Sequence, residues 1–291
     1  MEFKELLNKK KRPLILDGAM GSLLESEGIL NKDLLWSANA LIDHPEQVFN
    51  IHQQYLRAGA DIITTNTFRT NPFVFDLSNL SNFDFYVDKA VSICKSAAID
   101  FSDVIIAGSN PPAEDCYQKE RTINNNALFE NHIQHIERLI FNDVDIIWNE
   151  TFSHLDEIIF VCKYCSLNNY PFVINIFLNN NLRILSGENI DLVVDIIKDF
   201  NPVAIGFNCI SSDTFSKINA NVFTKHKYGY YFNCGSEIHD EIIHCEIREN
   251  DYKDIVKKNI TSNLVFVGSC CCSSPAHTKA IKEAFDEIYK S

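Results

Sequence analysis

Long hydrophobic runs are absent from this sequence of 291 residues. No apolar stretch reaches the roughly 18 residues that a membrane-spanning helix needs. No apolar run of about 7–15 residues follows the charged segment 1–13 either, as a secretory signal would require. We therefore expect a cytoplasmic protein. In that reducing compartment its ten cysteines are better explained as metal ligands, nucleophiles or inert residues than as disulfides.

An excess of basic charge is also missing. The chain has 26 Lys and Arg against 39 Asp and Glu, for a formal net charge of −13 and a pI near 5.1. Nucleic acids and anionic membrane surfaces both require a basic patch, so neither is expected as a partner. Small-molecule substrates, neutral or zwitterionic, suit this charge better. Composition leaves the oligomeric state open.

No linker, repeat or low-complexity tract interrupts the chain. Hydrophobic residues make up 46% and charged residues 22%, which is ordinary for a globular protein. Because α/β barrels of roughly 250 residues fold as one domain, we expect residues 1–291 to form a single domain. A doubly wound open sheet is the alternative, but it normally begins with G-x-G-x-x-G, and segment 17–21 (DGAMG) does not match that pattern.

Short β-branched or aromatic runs alternate with amphipathic stretches, as in parallel β/α units. Candidate strands are 14–17, 61–65, 104–108, 145–149, 172–177, 203–207, 228–232 and 264–268. The spacing predicts helices over 45–58, 83–101, 126–142, 154–167, 189–200 and 274–289. Segments 211–225 and 236–260 are less periodic. Eight strands in this alternation predict an α/β fold, a single (β/α)8 TIM barrel.

Polar residues and cysteines follow the predicted strands, at the end of a barrel where active sites lie. Cys209 follows strand 6, Cys234 follows strand 7, and the run 270–272 (CCC) follows strand 8. Three sulfurs within about 4 Å of one point would suit zinc, with a fourth tetrahedral position open, as in catalytic sites. A substrate thiol at that position would be deprotonated. The alternative is that the cysteines in 270–272 are small, inert residues that close the barrel.

Six segments together resemble the homocysteine S-methyltransferase family in order and spacing. They are 14–21 (LILDGAMG), 35–38 (LWSA), 58–68 (AGADIITTNTF), 150–151 (ET), 206–209 (GFNC) and 268–271 (GSCC). The resemblance covers essentially the whole chain. It implies a zinc-dependent methyltransferase in which Cys209, Cys270 and Cys271 are the catalytic metal ligands.

The resemblance also implies the substrate-binding residues. Asp17 and Glu150 would hold the substrate ammonium group, and the amides of Gly18 and Ala19 would receive its carboxylate. Two carboxylates suit a cation, and amides at a helix start suit an anion. The alternative for Asp17 is an N-cap of the following helix. Thr65, Asn66 and Asn233 also match substrate-binding positions of the family, and Trp36 matches an aromatic in the loop after strand 1.

The sequence departs from the family pattern at several points. Ser269 stands where the GGCC motif has its second glycine, and Cys272 adds a further sulfur that we expect to face away from the metal. After strand 3 the family's Gly-Ser-x-Gly-Pro appears as 108–112 (GSNPP), followed by a short loop, so the chain departs from the family at the expected donor pocket. His132 and His135 lie on a predicted outer helix and are expected to be solvated.

The resemblance implies methyl transfer to the thiol of L-homocysteine to give methionine. The donor it favours is S-methylmethionine or S-adenosylmethionine, because the segment 35–38 is similar to that branch of the family. Betaine, a methyl-corrinoid protein, and another thiol or selenol acceptor are alternatives. A different class of function is a non-catalytic zinc- or thiol-binding barrel.

Overall fold

The computed structural model describes residues 1–29, 33–235 and 246–289, and within them eight parallel strands form one sheet. The strands are β1 Leu14–Ile15, β2 Ile62–Thr64, β3 Ile105–Asn110, β4 Ile146–Phe152, β5 Phe172–Ile176, β6 Ala204–Asn208, β7 Tyr228–Phe232 and β8 Leu264–Ser269. From β2 to β8 each strand pairs with the next in sequence, and β1 pairs with β8. A parallel bridge between Leu16 and Ile62 joins β1 to β2. The expected (β/α)8 barrel is confirmed.

Helices precede β1 and follow each strand. They are α1 Phe3–Lys10, α2 Gly21–Ser26, α3 Ala40–Asp43, α4 Pro45–Ala58, α5 Pro72–Leu77, α6 Phe83–Ala98, α7 Asn125–Phe141, α8 Leu155–Leu167, α9 Ile190–Ile197, α10 Ser212–Ser216, α11 Ala220–Lys225, α12 Glu249–Lys258 and α13 Pro275–Ile288, with 3-10 turns at Trp36–Asn39 and Lys198–Phe200. The six predicted helices are all present. Of the aperiodic segment 236–260, residues 236–245 lie outside the described part of the chain.

Local sequence signals explain where the outer helices begin and end. Pro45 occupies the first turn of α4, and Gly59, at φ 110°, ends it in the left-handed region that glycine favours. Asn124 caps α7, since its side chain accepts a hydrogen bond from the Ala127 N–H at 3.0 Å. The Asn189 side chain caps α9 in the same way.

Alternation along the strands separates two apolar layers. Residues such as Leu14, Ile105 and Trp148 point into the barrel, whereas Ile15, Ile106 and Ile147 pack against the outer helices. The Phe266 and Trp148 rings meet edge to face in the interior, with centroids 4.8 Å apart. The barrel centre is therefore a solid plug on which a site can rest.

The N-terminal helix α1 is an element that the sequence did not predict. Phe3 and Leu6 join the apolar cluster of the barrel interior. Arg12, just after this helix, pairs with Asp61 at 2.6 Å, and the Asp61 carboxylate also accepts a hydrogen bond from the Ile15 N–H. Helix α1 thus packs against the interior cluster next to the first strands. No described helix is long and apolar enough to cross a membrane.

Candidate metal centre and substrate pocket

Three cysteine sulfurs meet at the mouth of the barrel. The Cys209 and Cys271 sulfurs lie 3.9 Å apart, and those of Cys270 and Cys271 lie 4.0 Å apart. All three Sγ atoms lie within 4.8 Å of one another, and no other such metal-binding group occurs among the described residues. Three soft donors at this spacing fit a thiophilic metal such as zinc.

Backbone hydrogen bonds to β7 hold the cysteines in place. The Cys209 N–H donates to the Tyr231 carbonyl at 3.2 Å, and the Cys270 N–H donates to the Phe232 carbonyl at 2.8 Å. Strand β7 lies between β6 and β8, so it carries both anchors. Cys209 adopts a left-handed φ of 54° as the chain leaves β6.

Electrostatics within the cluster favour a thiolate at one position. Hydrogen bonds from the Cys209 and Cys270 thiols hold the pKa of Cys271 well below its usual value, despite its burial. Thiolate is the form of cysteine that binds metal. The cluster therefore holds one sulfur ready to act as a ligand.

Cys272 and Cys234, which also follow barrel strands, stand outside this group. Cys272 has a left-handed φ of 63°, and its N–H donates to the Ser22 hydroxyl at 2.9 Å. Cys234 is buried, with its sulfur 3.8 Å from the Phe232 carbonyl oxygen. Neither belongs to the three-sulfur group.

A cavity of about 880 Å³ opens above the sulfurs. Every site residue predicted from the sequence lines it: Asp17, Gly18, Ala19, Thr65, Asn66, Glu150, Cys209, Asn233, Cys270 and Cys271. The two-residue alternation along a strand explains part of this convergence. Ser109, Glu150 and Tyr231 each lie two residues after an inward-facing position of the same strand. Those positions are Ala107, Trp148 and Gly229. The cavity floor thus rests on the apolar plug.

Two hydroxyl groups from different strands hold the Glu150 carboxylate. The Ser109 hydroxyl donates a short hydrogen bond to one carboxylate oxygen, and the Tyr231 hydroxyl lies 3.1 Å from the other. Burial raises the pKa of Glu150 to about 7, although these two bonds oppose the rise. A cation beside Glu150 would favour its charged form.

Asp17 connects the first two strands. Its carboxylate accepts a hydrogen bond from the Thr64 N–H at 2.8 Å and lies 3.2 Å from the Thr64 hydroxyl. Burial raises its pKa well above the usual value, the Thr64 N–H opposes this, and the charge of Glu150 adds to it. The side chain caps no helix, since α2 has Met20 at its N-cap. The N-cap alternative was therefore wrong.

Four of the five remaining predicted substrate residues already have protein partners. The Ala19 N–H donates to the Ser273 hydroxyl at 3.1 Å. The Thr65 hydroxyl accepts from the Ser109 N–H at 3.0 Å, and the Asn66 amide donates to the Ser37 carbonyl at 2.9 Å. Asn233 accepts from the Gly235 N–H at 2.9 Å. These bonds fix the walls of the cavity.

The loop after β3 supplies wall residues that the sequence did not single out. Asp115, Cys116 and Tyr117 all line the cavity. The Tyr117 ring meets Phe177 edge to face at 5.1 Å, and the nearby Cys209 sulfur, together with burial, raises the pKa of its hydroxyl. The sequence signal that could have identified these residues is their position just beyond the end of strand 3, where barrel active sites lie.

Two histidines anchor this loop from behind, and the expectation that they are solvated was wrong. His132 and His135 are both 0% exposed. The His132 Nε2 lies 2.8 Å from Glu157, whose carboxylate also accepts from the Ala113 N–H at 2.9 Å. His135 bonds Asn110 through Nδ1 at 2.9 Å. Helix α7 turns this polar face inward because the loop carries backbone donors that need partners.

Comparison with known proteins agrees with this geometry. A family model described as homocysteine S-methyltransferase matches residues 14–285. A homocysteine S-methyltransferase of Escherichia coli (strain K12) is 25% identical over 306 residues, covering 94% of this chain and 95% of that protein. A selenocysteine Se-methyltransferase of Brassica oleracea var. italica is 23% identical over 323 residues, covering 96% of this chain and 90% of that protein.

The fold matches that of a solved homocysteine methyltransferase structure. The metallated form of the homocysteine methyltransferase MmuM from Escherichia coli has a TM-score of 0.82 at 23% identity, covering 97% of this chain and 99% of that chain. This likeness concerns the fold, whereas the family match spans nearly all of the sequence. The chain therefore belongs to the homocysteine S-methyltransferase family and is a methyltransferase.

Proposed function

We propose that this protein transfers a methyl group to the thiol of L-homocysteine, forming methionine, at a zinc ion held by Cys209, Cys270 and Cys271. The observation that carries the proposal is that the three-sulfur group and two buried carboxyl groups line one cavity. A molecule with a thiol at one end and an ammonium at the other matches both features. Bound zinc would lower the pKa of the acceptor thiol and supply a nucleophile at neutral pH.

The protein's own residues orient the acceptor. Burial raises the pKa of both Asp17 and Glu150, and the charge of Glu150 adds to the rise at Asp17. An ammonium group between them would relieve that repulsion, so both would bind it as carboxylates. Ser109 and Tyr231 keep the Glu150 carboxylate aimed into the cavity. Gly18 and Ala19 would lie at the carboxylate end, with Thr65, Asn66 and Asn233 in the walls.

The charge of the cavity wall supports a cationic methyl donor. Glu25, Asp33, Glu114 and Asp115 contribute acidic side chains, and Arg69 is the one basic side chain among the described lining residues. Arg69 is itself paired with Asp115 at 3.1 Å. Trp36, Phe68 and Tyr117 add aromatic faces, which attract cations. We therefore propose a sulfonium donor, S-methylmethionine or S-adenosylmethionine.

The rival donors are betaine and a methyl-corrinoid protein, and a selenol acceptor is the rival substrate. The similarity to a selenocysteine Se-methyltransferase gives the selenol a specific basis. We further propose that residues 1–291 act as one domain in the cytoplasm. All nine cysteines among the described residues are free thiols, in keeping with a reducing compartment.

A donor screen tests the proposal. Purified protein, loaded with zinc, is incubated with homocysteine and each of four donors: S-methylmethionine, S-adenosylmethionine, betaine and a methyl-corrinoid protein. We expect methionine to form with a sulfonium donor. Selenocysteine is tested as the acceptor in parallel. Absence of methionine with all four donors, from protein with full zinc content, would contradict the assignment.

A further inference from the structure

Ser269, the last residue of β8, carries a buried hydroxyl without a partner. The residue is 2% exposed. Its Oγ makes no hydrogen bond to any described residue. An unsatisfied buried hydroxyl costs stability, so it calls for an explanation such as a ligand that completes it. Ser269 also lines the cavity above the three sulfurs.

The hydroxyl points at the bare face of Gly18. A Cβ atom placed on Gly18 would lie 2.9 Å from the Ser269 Oγ and 2.7 Å from the Ser273 Oγ. The two hydroxyls therefore converge on the turn that follows β1. This is the end of the cavity where the substrate carboxylate is expected.

The two hydroxyls differ in what remains available to a ligand. Ser273 accepts the hydrogen bond of the Ala19 N–H at 3.1 Å, so the amide expected to receive the carboxylate already has a partner. The Ser269 hydroxyl keeps its donor unused. A carboxylate is a strong acceptor for a hydroxyl donor, because charge-assisted hydrogen bonds are the stronger class.

We propose that Ser269 donates a hydrogen bond to the carboxylate of the amino-acid thiol and is a specificity-determining residue of this chain. The inference rests on the proposed function, since it assumes an acceptor with an amino-acid head. It also gives the serine in the GSCC segment a role that a glycine at that position would lack.

Binding of three thiols to metal-loaded protein tests this role by calorimetry. Homocysteine has both head groups, 4-mercaptobutanoic acid lacks the ammonium, and 3-aminopropane-1-thiol lacks the carboxylate. In Ser269→Ala and Ser269→Gly we expect roughly tenfold weaker binding of the two carboxylate-bearing thiols. Binding of the aminothiol should stay unchanged, and that ligand also reports an intact metal centre.

Thr278→Val is the matched control, because Thr278 on α13 is another buried hydroxyl without a partner and does not line the cavity. It should leave all three affinities unchanged. Equal loss for all three thiols in the Ser269 variants, or no loss for homocysteine, overturns the inference while the proposed function stands. Failure of the wild type to bind homocysteine overturns both.

Discussion

The Tyr231 hydroxyl, at the end of β7, lies 3.1 Å from Oε2 of Glu150 on β4. The bond spans the barrel mouth between strands that are not neighbours in the sheet. Together with Ser109 on the other oxygen, it fixes the direction of a carboxylate whose pKa burial has raised to about 7. Glu150 is thus both oriented and ready to bind a cation.

Replacing Glu150 tests its contact with the substrate ammonium. Glu150→Gln should weaken homocysteine binding by about 1.5–3 kcal/mol, tenfold or more, because a charge-assisted hydrogen bond is lost. Asp17→Asn should act in the same direction. Zinc content should remain at the wild-type level. The affinity of 4-mercaptobutanoic acid serves as the control, since it has no ammonium; a comparable loss for that ligand would point to damage of the cavity instead.

The raised pKa of Glu150 also predicts a pH dependence of stability. The folded state keeps the proton up to about pH 7, whereas the unfolded state releases it near 4.5. The folded state therefore binds more protons between these values, and the free energy of unfolding falls as pH rises through this window. At pH 8 and without ligand, the free energy of unfolding of Glu150→Gln should be higher than that of the wild type by at most about 3 kcal/mol.

Urea unfolding of the two proteins in the same metal state measures this difference. Below pH 4 it should shrink, because the glutamate is then neutral in both states. Titrating groups that do not interact with Glu150 contribute equally to both proteins and cancel. Asp17 is replaced by Asn in both proteins, because the charge of Glu150 raises its pKa. A difference independent of pH would show that Glu150 is not the group responsible.

The three-sulfur group predicts a specific pattern of metal retention. Wild-type protein should hold about one zinc per chain. Serine at position 209, 270 or 271 should reduce that content sharply and leave the barrel folded, because the site lies at the mouth. Cys272→Ser and Cys234→Ser are matched controls that should keep most of the metal. Elemental analysis measures the zinc content of each variant, and circular dichroism checks that it is folded. Full zinc retention in the variant at position 209, 270 or 271 would refute the assignment of these three ligands.

The buried pair of His132 and Glu157 should stabilise the loop after β3. Glu157→Ala removes the partner of both the His132 ring and the Ala113 N–H. We expect a loss of about 3 kcal/mol in the free energy of unfolding and faster proteolysis within residues 111–124. Asp195→Ala, which breaks an exposed pair with Lys198, should hardly change the unfolding midpoint. Equal effects from both variants would contradict the anchoring role.

The sequence by itself determined the barrel and the list of residues at its mouth. Strand and helix periods are local properties, so the eight strands and the start of helix α4 at Pro45 follow from nearby residues. A polar residue or cysteine that ends a parallel strand must lie at the same end of the sheet as the others. For that reason Cys209, Glu150 and Asp17 could be named before the fold was known.

Only the tertiary structure decided how those residues meet. The short distances among the sulfurs, the Tyr231 bond to Glu150 and the Ser273 bond to Ala19 join residues far apart in the chain. The burial of His132 and the packing of helix α1 also depend on contacts between residues far apart in the chain. Such contacts depend on strand register and barrel closure, which place atoms to within an ångström, and no local pattern carries that information.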